Sequence, residues 1–343
     1  MSKSSLRRRG HASLRPWSSE MLLPFTFVLA FCCAVELILQ KKWIAVMKRM
    51  KIEQVTKLYG PAWHEKTKMG TPTMGGVVFI PALILSLPLI MLFAGDHSAA
   101  DAMRILLYPL LAAGVGFTDD WLKYSRHSSD GLTSLSKLLL QTAVTLPWAL
   151  WASRPPYELL PWLRLPFPLY VAVVTFIGVG LQNAVNVTDG LDGLAAGCSL
   201  ISFFAALALL PPSPMTLLSA ASACGICLGF LWHNANPASV FMGDVGAHFL
   251  AGFMLSLCIN SGALIMVVPL CFIFGVEIFS VAIQIFAIHK LHRKLFLMSP
   301  IHHHFEMLGW KETQITARFY IAHIVGICLL SALLHCFVFL LRI

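Results

Sequence analysis

ALIMVVPLCFIFGVEIFSVAIQIFAI, residues 263 to 288, holds one charged side chain, Glu277. A bilayer-spanning helix needs about 20 mostly apolar residues. An open strand edge in lipid would leave backbone groups unpaired, so a run of this kind is a membrane helix. Working outward, further apolar runs occupy 21 to 39, 75 to 94, 104 to 118, 138 to 152, 169 to 185, 194 to 210, 215 to 232, 246 to 260 and 317 to 341. Composition agrees: 57% of the 343 residues are hydrophobic and 12% are charged, against about 25% charged in an ordinary soluble domain. A water-soluble globule, a secreted disulfide scaffold and a disordered chain are excluded. The expected fold is an all-α integral membrane protein with about ten transmembrane helices. Residues 1–20 read as an N-terminal tail and 21–343 as a single membrane-embedded domain, because the longest polar gaps, 41 to 74 and 289 to 316, are too short for an independent one.

The first run, Met21 to Leu39, follows a basic tail as a signal peptide would. Its length and the Lys41 and Lys42 that follow it identify an uncleaved first helix. All nine cysteines lie in apolar stretches, where thiols behave as small hydrophobes, and the Cys224/Cys227 pair is flanked by Ala, Gly, Ile and Leu rather than by a redox motif.

Ten spans put both termini on one side and the loops after odd-numbered spans on the other. Those odd loops hold 16 of the 25 Lys and Arg residues. Basic residues collect on the cytoplasmic side, so the odd loops are expected there, and the net charge of +9 reports topology rather than nucleic acid.

The polar residues at span ends fall on that same face. Asp119 and Asp120 end the third span, with Lys123 one helical turn beyond Asp119. Adjacent carboxylates at a membrane border either face water as a hydrated helix end or favour a cation. Between Asn183 and Asp192 a polar residue recurs at every third position, too wide a spread for one helical stripe, and Gly190 and Gly193 interrupt it. Asn183 and Asn186 therefore belong to the end of the fifth span, and Asp189 and Asp192 to the turn that follows. Asp244, after Gly243, reads either as a helix cap or as a Mg²⁺ ligand. Phe241 reads as an interfacial anchor or a stacking surface for a flat base. His302, His303 and His304, near Arg293, Lys294 and Lys311, suit an anionic phosphate better than zinc, since no thiol lies outside the spans; a solvated loop is the plain alternative.

GTPTMGG at 70 to 76, TDDWLK at 118 to 123, NAVNVTDGLDGLA at 183 to 195, FMGD at 241 to 244 and PIHHHFE at 300 to 306 together resemble the bacterial phospho-N-acetylmuramoyl-pentapeptide transferases. The likeness runs from about residue 40 to the end. It implies a ten-helix enzyme, commonly a homodimer, with its active-site cleft on the cytoplasmic face of the bacterial inner membrane. Such an enzyme moves phospho-MurNAc-pentapeptide from UDP-MurNAc-pentapeptide to undecaprenyl phosphate, releases UMP and requires Mg²⁺. By resemblance, Asp119, Asp120, Asp189 and Asp244 form the acidic centre, and Asp244, Asp119 and Asp120 are the metal set. Lys123, His302 and His303 act on the phosphates or sugar. The implied substrate-binding set is Lys68, Thr73, Lys137, Asn183, Asn186, Asp192, Asn234, Phe241 and His304. One departure is visible: where the family usually reads GDTGSLALGG, this chain has GDVGAHFLAG at 243 to 252, which places His248 at the base of the eighth span.

Phosphoryl transfer is largely positioning and charge neutralisation. Acids and lysines at helix ends are therefore expected where a soluble donor and a lipid phosphate meet. The competing reading within the superfamily is a sugar-1-phosphate transferase using UDP-GlcNAc. A secondary transporter would instead place acids near the midplane, where only Glu36 and Glu277 qualify. A nucleic-acid-binding role is weaker still, because the basic residues are dispersed.

Overall fold

The computed structural model describes residues 19–50, 70–95, 99–128 and 130–341. Each of the ten apolar runs contains a long helix there. They are α1 (Ser19–Met50), α2 (Phe79–Ala94), α3 (Ala99–Ser125), α4 (Ser134–Ala152), α5 (Phe167–Thr188), α6 (Leu194–Leu209), α7 (Pro214–Asn234), α8 (Gly243–Asn260), α9 (Phe272–Leu291) and, after a short α10 (Ile301–Met307), α11 (Glu312–Leu341). Among the described residues, seven of these have the length and apolarity to cross a bilayer, and the chain is a multi-pass membrane protein.

Local sequence sets the helix ends. The Thr133 hydroxyl accepts from Ser136 N at 3.2 Å and caps α4. Ser213 does the same for α7 through Thr216 N at 3.1 Å, with Pro214 in the first turn, where its missing N–H costs nothing.

Burial grades the helices from centre to rim. Sixteen of the 18 residues of α8 are buried, and the apolar window of α7 is 83% buried, against 17% for α11. Phe79, Phe249, Phe253 and Phe203 run through the core with successive ring centroids 5.5, 5.7 and 5.6 Å apart. α1 crosses α7 where Gly225 and Gly229 leave room: a Cβ on either would come within 2.6 Å of α1, at Leu29 O or at Glu36 Cβ. Such small-xxx-small spacing lets membrane helices approach closely. Cys224 and Cys227, beside these glycines, are buried free thiols.

Three departures from the sequence reading have physical causes. The run 263–288 is not one helix: a 3-10 turn (Leu264–Met266) and a single α turn (Val267–Leu270) precede α9. Pro269 lacks the N–H a continuous helix needs. His323 of α11 braces the break, accepting from Ile273 N at 3.3 Å and bonding Ser202 at 2.9 Å, while Ser202 donates to Leu270 O at 2.6 Å. Second, α1 continues through Lys41 and Lys42 to Met50, since lysine is a good helix former once the chain is outside lipid. Third, the gap between α4 and α5 folds into a hairpin, Glu158–Leu160 against Leu163–Arg164, clipped by Arg164 Nε donating to Glu158 Oε1 at 3.0 Å.

Candidate active site

Three carboxylates meet where α3 ends and α8 begins. Asp119, Asp120 and Asp244 are buried, and one oxygen of each lies within 4.8 Å of the others. The approach depends on backbone touching backbone: a Cβ on Gly116 would stand 2.2 Å from the Asp244 carbonyl oxygen. Gly243, at φ 74°, enters α8 in the left-handed conformation that glycine adopts freely. A Cβ there would come 2.6 Å from Asp120 Oδ2. Asp244 lies within the first turn of α8 and is not its cap, which is Met242.

Two ammonium groups answer the three carboxylates. Lys123 Nζ lies 2.5 Å from Asp119 Oδ2, 3.1 Å from Asp244 Oδ2 and 3.6 Å from Asp120 Oδ1. Lys137 Nζ, from the first turn of α4, lies 2.6 Å from Asp244 Oδ2. Asn186 of α5 donates to Asp244 Oδ1 at 2.7 Å and accepts from Lys137 at 3.3 Å. Backbone amides complete the shell, with Leu132 N on Asp119 Oδ1 at 2.8 Å and Val245 N on Asp120 Oδ2 at 3.1 Å. Three carboxylates share two lysines, and their oxygens are crowded together. Those donors fit a hard divalent cation, and the lysines fit phosphate.

The segment 72–76 is zipped to the entry of α8. Phe241 N donates to Pro72 O, Gly75 N to Phe241 O and Gly76 N to Met242 O, each at 2.8 Å. Thr73 and Phe241, both half-buried, are thereby neighbours on the flank of the acidic cluster. Lys68, expected with them, lies outside the described residues.

Other expected residues are brought to this end of the bundle but are engaged with the protein itself. Asn234 is buried, with its Oδ1 accepting from Gly193 N at 3.1 Å and its Nδ2 donating to Val240 O at 2.9 Å. Both ends of its amide are bonded within the protein. His304 is half-buried: its Nδ1 accepts from Leu297 N at 3.2 Å and its ring sits against Phe296 and Phe305. Asn183 faces α4, donating to Gln141 Oε1 at 2.9 Å and to Val179 O at 2.8 Å. Asp192 ties three segments together. Its Oδ2 accepts from Asn236 Nδ2 and Ala238 N, each at 3.0 Å, and its own N–H donates to Glu312 Oε1 of α11 at 2.6 Å. Asp189 caps the end of α5, on the turn where the spacing puts it, and is not one of the three clustered carboxylates.

The histidine block is helical, on α10, and not an open loop. His302 is wholly buried, with Nδ1 3.1 Å from Glu277 Oε1 of α9 and Nε2 turned to Gly190. It underpins the α5–α6 turn and has no face open to solvent. His303 Nδ1 lies 2.6 Å from Glu306 Oε2.

Sequence reasoning missed Gln141, Glu277 and Glu312 as partners of motif residues, and it singled out His248 without a role. Helical spacing carried a signal for two of them: Gln141 stands four residues after Lys137 on α4, and His248 four after Asp244 on α8.

Comparison with known proteins places this arrangement. A model of glycosyl transferase family 4 matches residues 102–262, and phospho-N-acetylmuramoyl-pentapeptide-transferase signature 1 matches residues 68–80. The chain is similar to the phospho-N-acetylmuramoyl-pentapeptide-transferase of Nostoc sp. strain PCC 7120, at 35% identity covering 94% of this chain and 89% of the relative. It is 38% identical to the Picosynechococcus enzyme of that name over 85% of this chain and 82% of the relative. It is 35% identical to that of Bacillus pumilus over 88% and 95%. At this identity and coverage, the chain belongs to the phospho-N-acetylmuramoyl-pentapeptide-transferase family.

Proposed function

We propose that the protein transfers phospho-MurNAc-pentapeptide from UDP-MurNAc-pentapeptide to undecaprenyl phosphate at the cytoplasmic face of the bacterial inner membrane, giving lipid I and UMP. The observation that carries the reading is the convergence of Asp119, Asp120 and Asp244 with Lys123 and Lys137 at one end of a membrane helix bundle.

A non-bridging oxygen of the lipid phosphate attacks the sugar-bearing phosphorus of the donor. The bridging P–O bond to the uridine-side phosphate breaks, and UMP leaves with that oxygen. Lys123 and Lys137 turn from the carboxylates to the phosphate oxygens and offset the charge that accumulates as they meet. Asp119, aligned by Leu132 N and Lys123, orients the attacking phosphate and takes up a proton from it when it arrives protonated. Thr73 and Phe241 flank the cluster where the uridine end of the donor docks, the ring of Phe241 offering a face for stacking. Asp244, Asp119 and Asp120 would hold Mg²⁺. When bound, the ion supplies charge neutralisation on the pyrophosphate.

The test is a reaction of purified protein with UDP-MurNAc-pentapeptide, undecaprenyl phosphate and Mg²⁺, read as UMP release, with UDP-GlcNAc as the competing donor. UMP from the muramoyl donor alone is the expected result. Turnover of UDP-GlcNAc alone would overturn it. The resemblance extends the proposal to a homodimer, which light scattering of the detergent-purified protein tests.

A further inference from the structure

Directly beneath the Lys137, Asp244 and Asn186 trio lies a second one on the same three helices. Gln141 is one turn from Lys137 on α4, His248 one turn from Asp244 on α8, and Asn183 nearly one turn from Asn186 on α5. Their side chains form a single directed chain. Asn183 Nδ2 donates to Gln141 Oε1 at 2.9 Å, and Gln141 Nε2 lies 3.0 Å from His248 Nε2. His248 Nδ1 lies 2.6 Å from the Asp244 carbonyl oxygen. A carbonyl only accepts, so Nδ1 carries the hydrogen and Nε2 receives the one from Gln141. Both ring nitrogens are therefore used, in a side chain with no exposed surface.

A third layer, Tyr108, Thr145 and Gln182, lies below. Tyr108 Oη and Thr145 Oγ1 are 2.8 Å apart, and Gln182 Nε2 donates to Tyr108 Oη at 3.0 Å. The polar groups of the upper layer thus rest on a column that runs into the membrane core, and His248 is the member that joins it to the helix bearing Asp244.

We infer that His248 is a positioning residue of the active site. Its imidazole ties the Asp244 backbone to Gln141, and so fixes α8 against α4 and α5 at the separation that lets Lys137 and Asn186 meet the Asp244 carboxylate. Buried polar groups convert small shifts into lost hydrogen bonds, because an unpaired partner has no water to turn to. His248→Leu removes both bonds and leaves the Gln141 amide hydrogen unmatched.

The inference concerns catalysis only through the proposed transfer, so its test separates the two. In the UMP-release assay His248→Leu and Gln141→Leu each lower kcat about tenfold or more, with KM for the UDP donor within about twofold. The double variant loses no more than the worse single one, because the two side chains act through one bond. His248→Gln, which can both donate to the carbonyl and accept from Gln141, recovers most of kcat. Losses that multiply in the double variant, an unchanged kcat in His248→Leu, or a fall in thermal midpoint alone would overturn the role. Should the wild type release no UMP, the functional reading fails by itself. Amide hydrogen exchange then decides the positioning, with faster exchange expected in His248→Leu over Asp244 to His248 but not at the Ser213 cap of α7. Unchanged exchange at Asp244 to His248 would overturn the inference.

Discussion

Lys137 Nζ stands 2.6 Å from Asp244 Oδ2, an ammonium group from α4 against a carboxylate from α8, 107 positions apart in sequence. The contact assembles the site from helices with no local reason to meet, and it leaves each group poised for a charged ligand. Lys137→Met is expected to lower transfer by at least about 100-fold, the scale for losing a preorganised charge at a phosphoryl centre. Lys137→Arg should not restore it, since a planar fork cannot replace a compact ammonium held against both Asn186 and Asp244. Steady-state kinetics on the detergent-purified variants decide this.

Asp120→Asn takes one carboxylate out of a cluster in which three share two lysines. Its thermal midpoint in EDTA should equal or exceed that of the wild type, because an amide is less costly than a third carboxyl in this buried, acid-crowded place, while activity falls. Magnesium should raise the midpoint of the wild type by mass action and raise that of Asp120→Asn or Asp244→Asn much less. Thermal scans at a series of Mg²⁺ concentrations test both signs.

Gly116→Ala puts a methyl group 2.2 Å from the Asp244 carbonyl oxygen and must push α3 from α8. A loss of about 1–3 kcal/mol is expected, as in other overpacked sites. Gly114→Ala, two positions earlier, meets nothing within 4 Å and should keep stability or raise it by up to about 1 kcal/mol through helix propensity. The pair, measured side by side, separates contact from helix propensity.

Asn234→Ala strands the Gly193 N–H and the Val240 carbonyl. It should cost about 1–3 kcal/mol for each group left unsatisfied while leaving KM for the UDP donor unchanged in the folded fraction. A raised KM without lost stability would place Asn234 on the ligand.

The helices were legible because lipid demands long apolar runs and the chain supplies them. The end of the bundle that carries the site was legible too, since Asp119, Asp120, Asn186 and Asp244 are costly at a membrane border without partners. What composition and spacing do not carry is which neighbour a side chain meets across a helix interface. Asn234, His304 and Asp192 have the residue types of ligand contacts, yet their bonds run to Gly193, Leu297 and Asn236. His302 and Glu277 looked like unrelated features of a loop and a span until α9 and α10 were seen side by side. The break before α9 had its sign in Pro269, but its brace, His323, comes from 50 positions downstream of Ile273.

The burial of α8 also bears on how the protein is made. This helix carries Asp244, His248 and Asn260 and is not among the seven that are apolar and long enough to cross a bilayer by themselves. Its hold in the membrane comes from α3, α5 and α7, all synthesised before it. Biosynthesis thus has a built-in order: the Asp244 carboxylate enters a slot already walled by earlier helices, and a truncated chain ending before α8 would leave that slot lined with polar groups facing lipid.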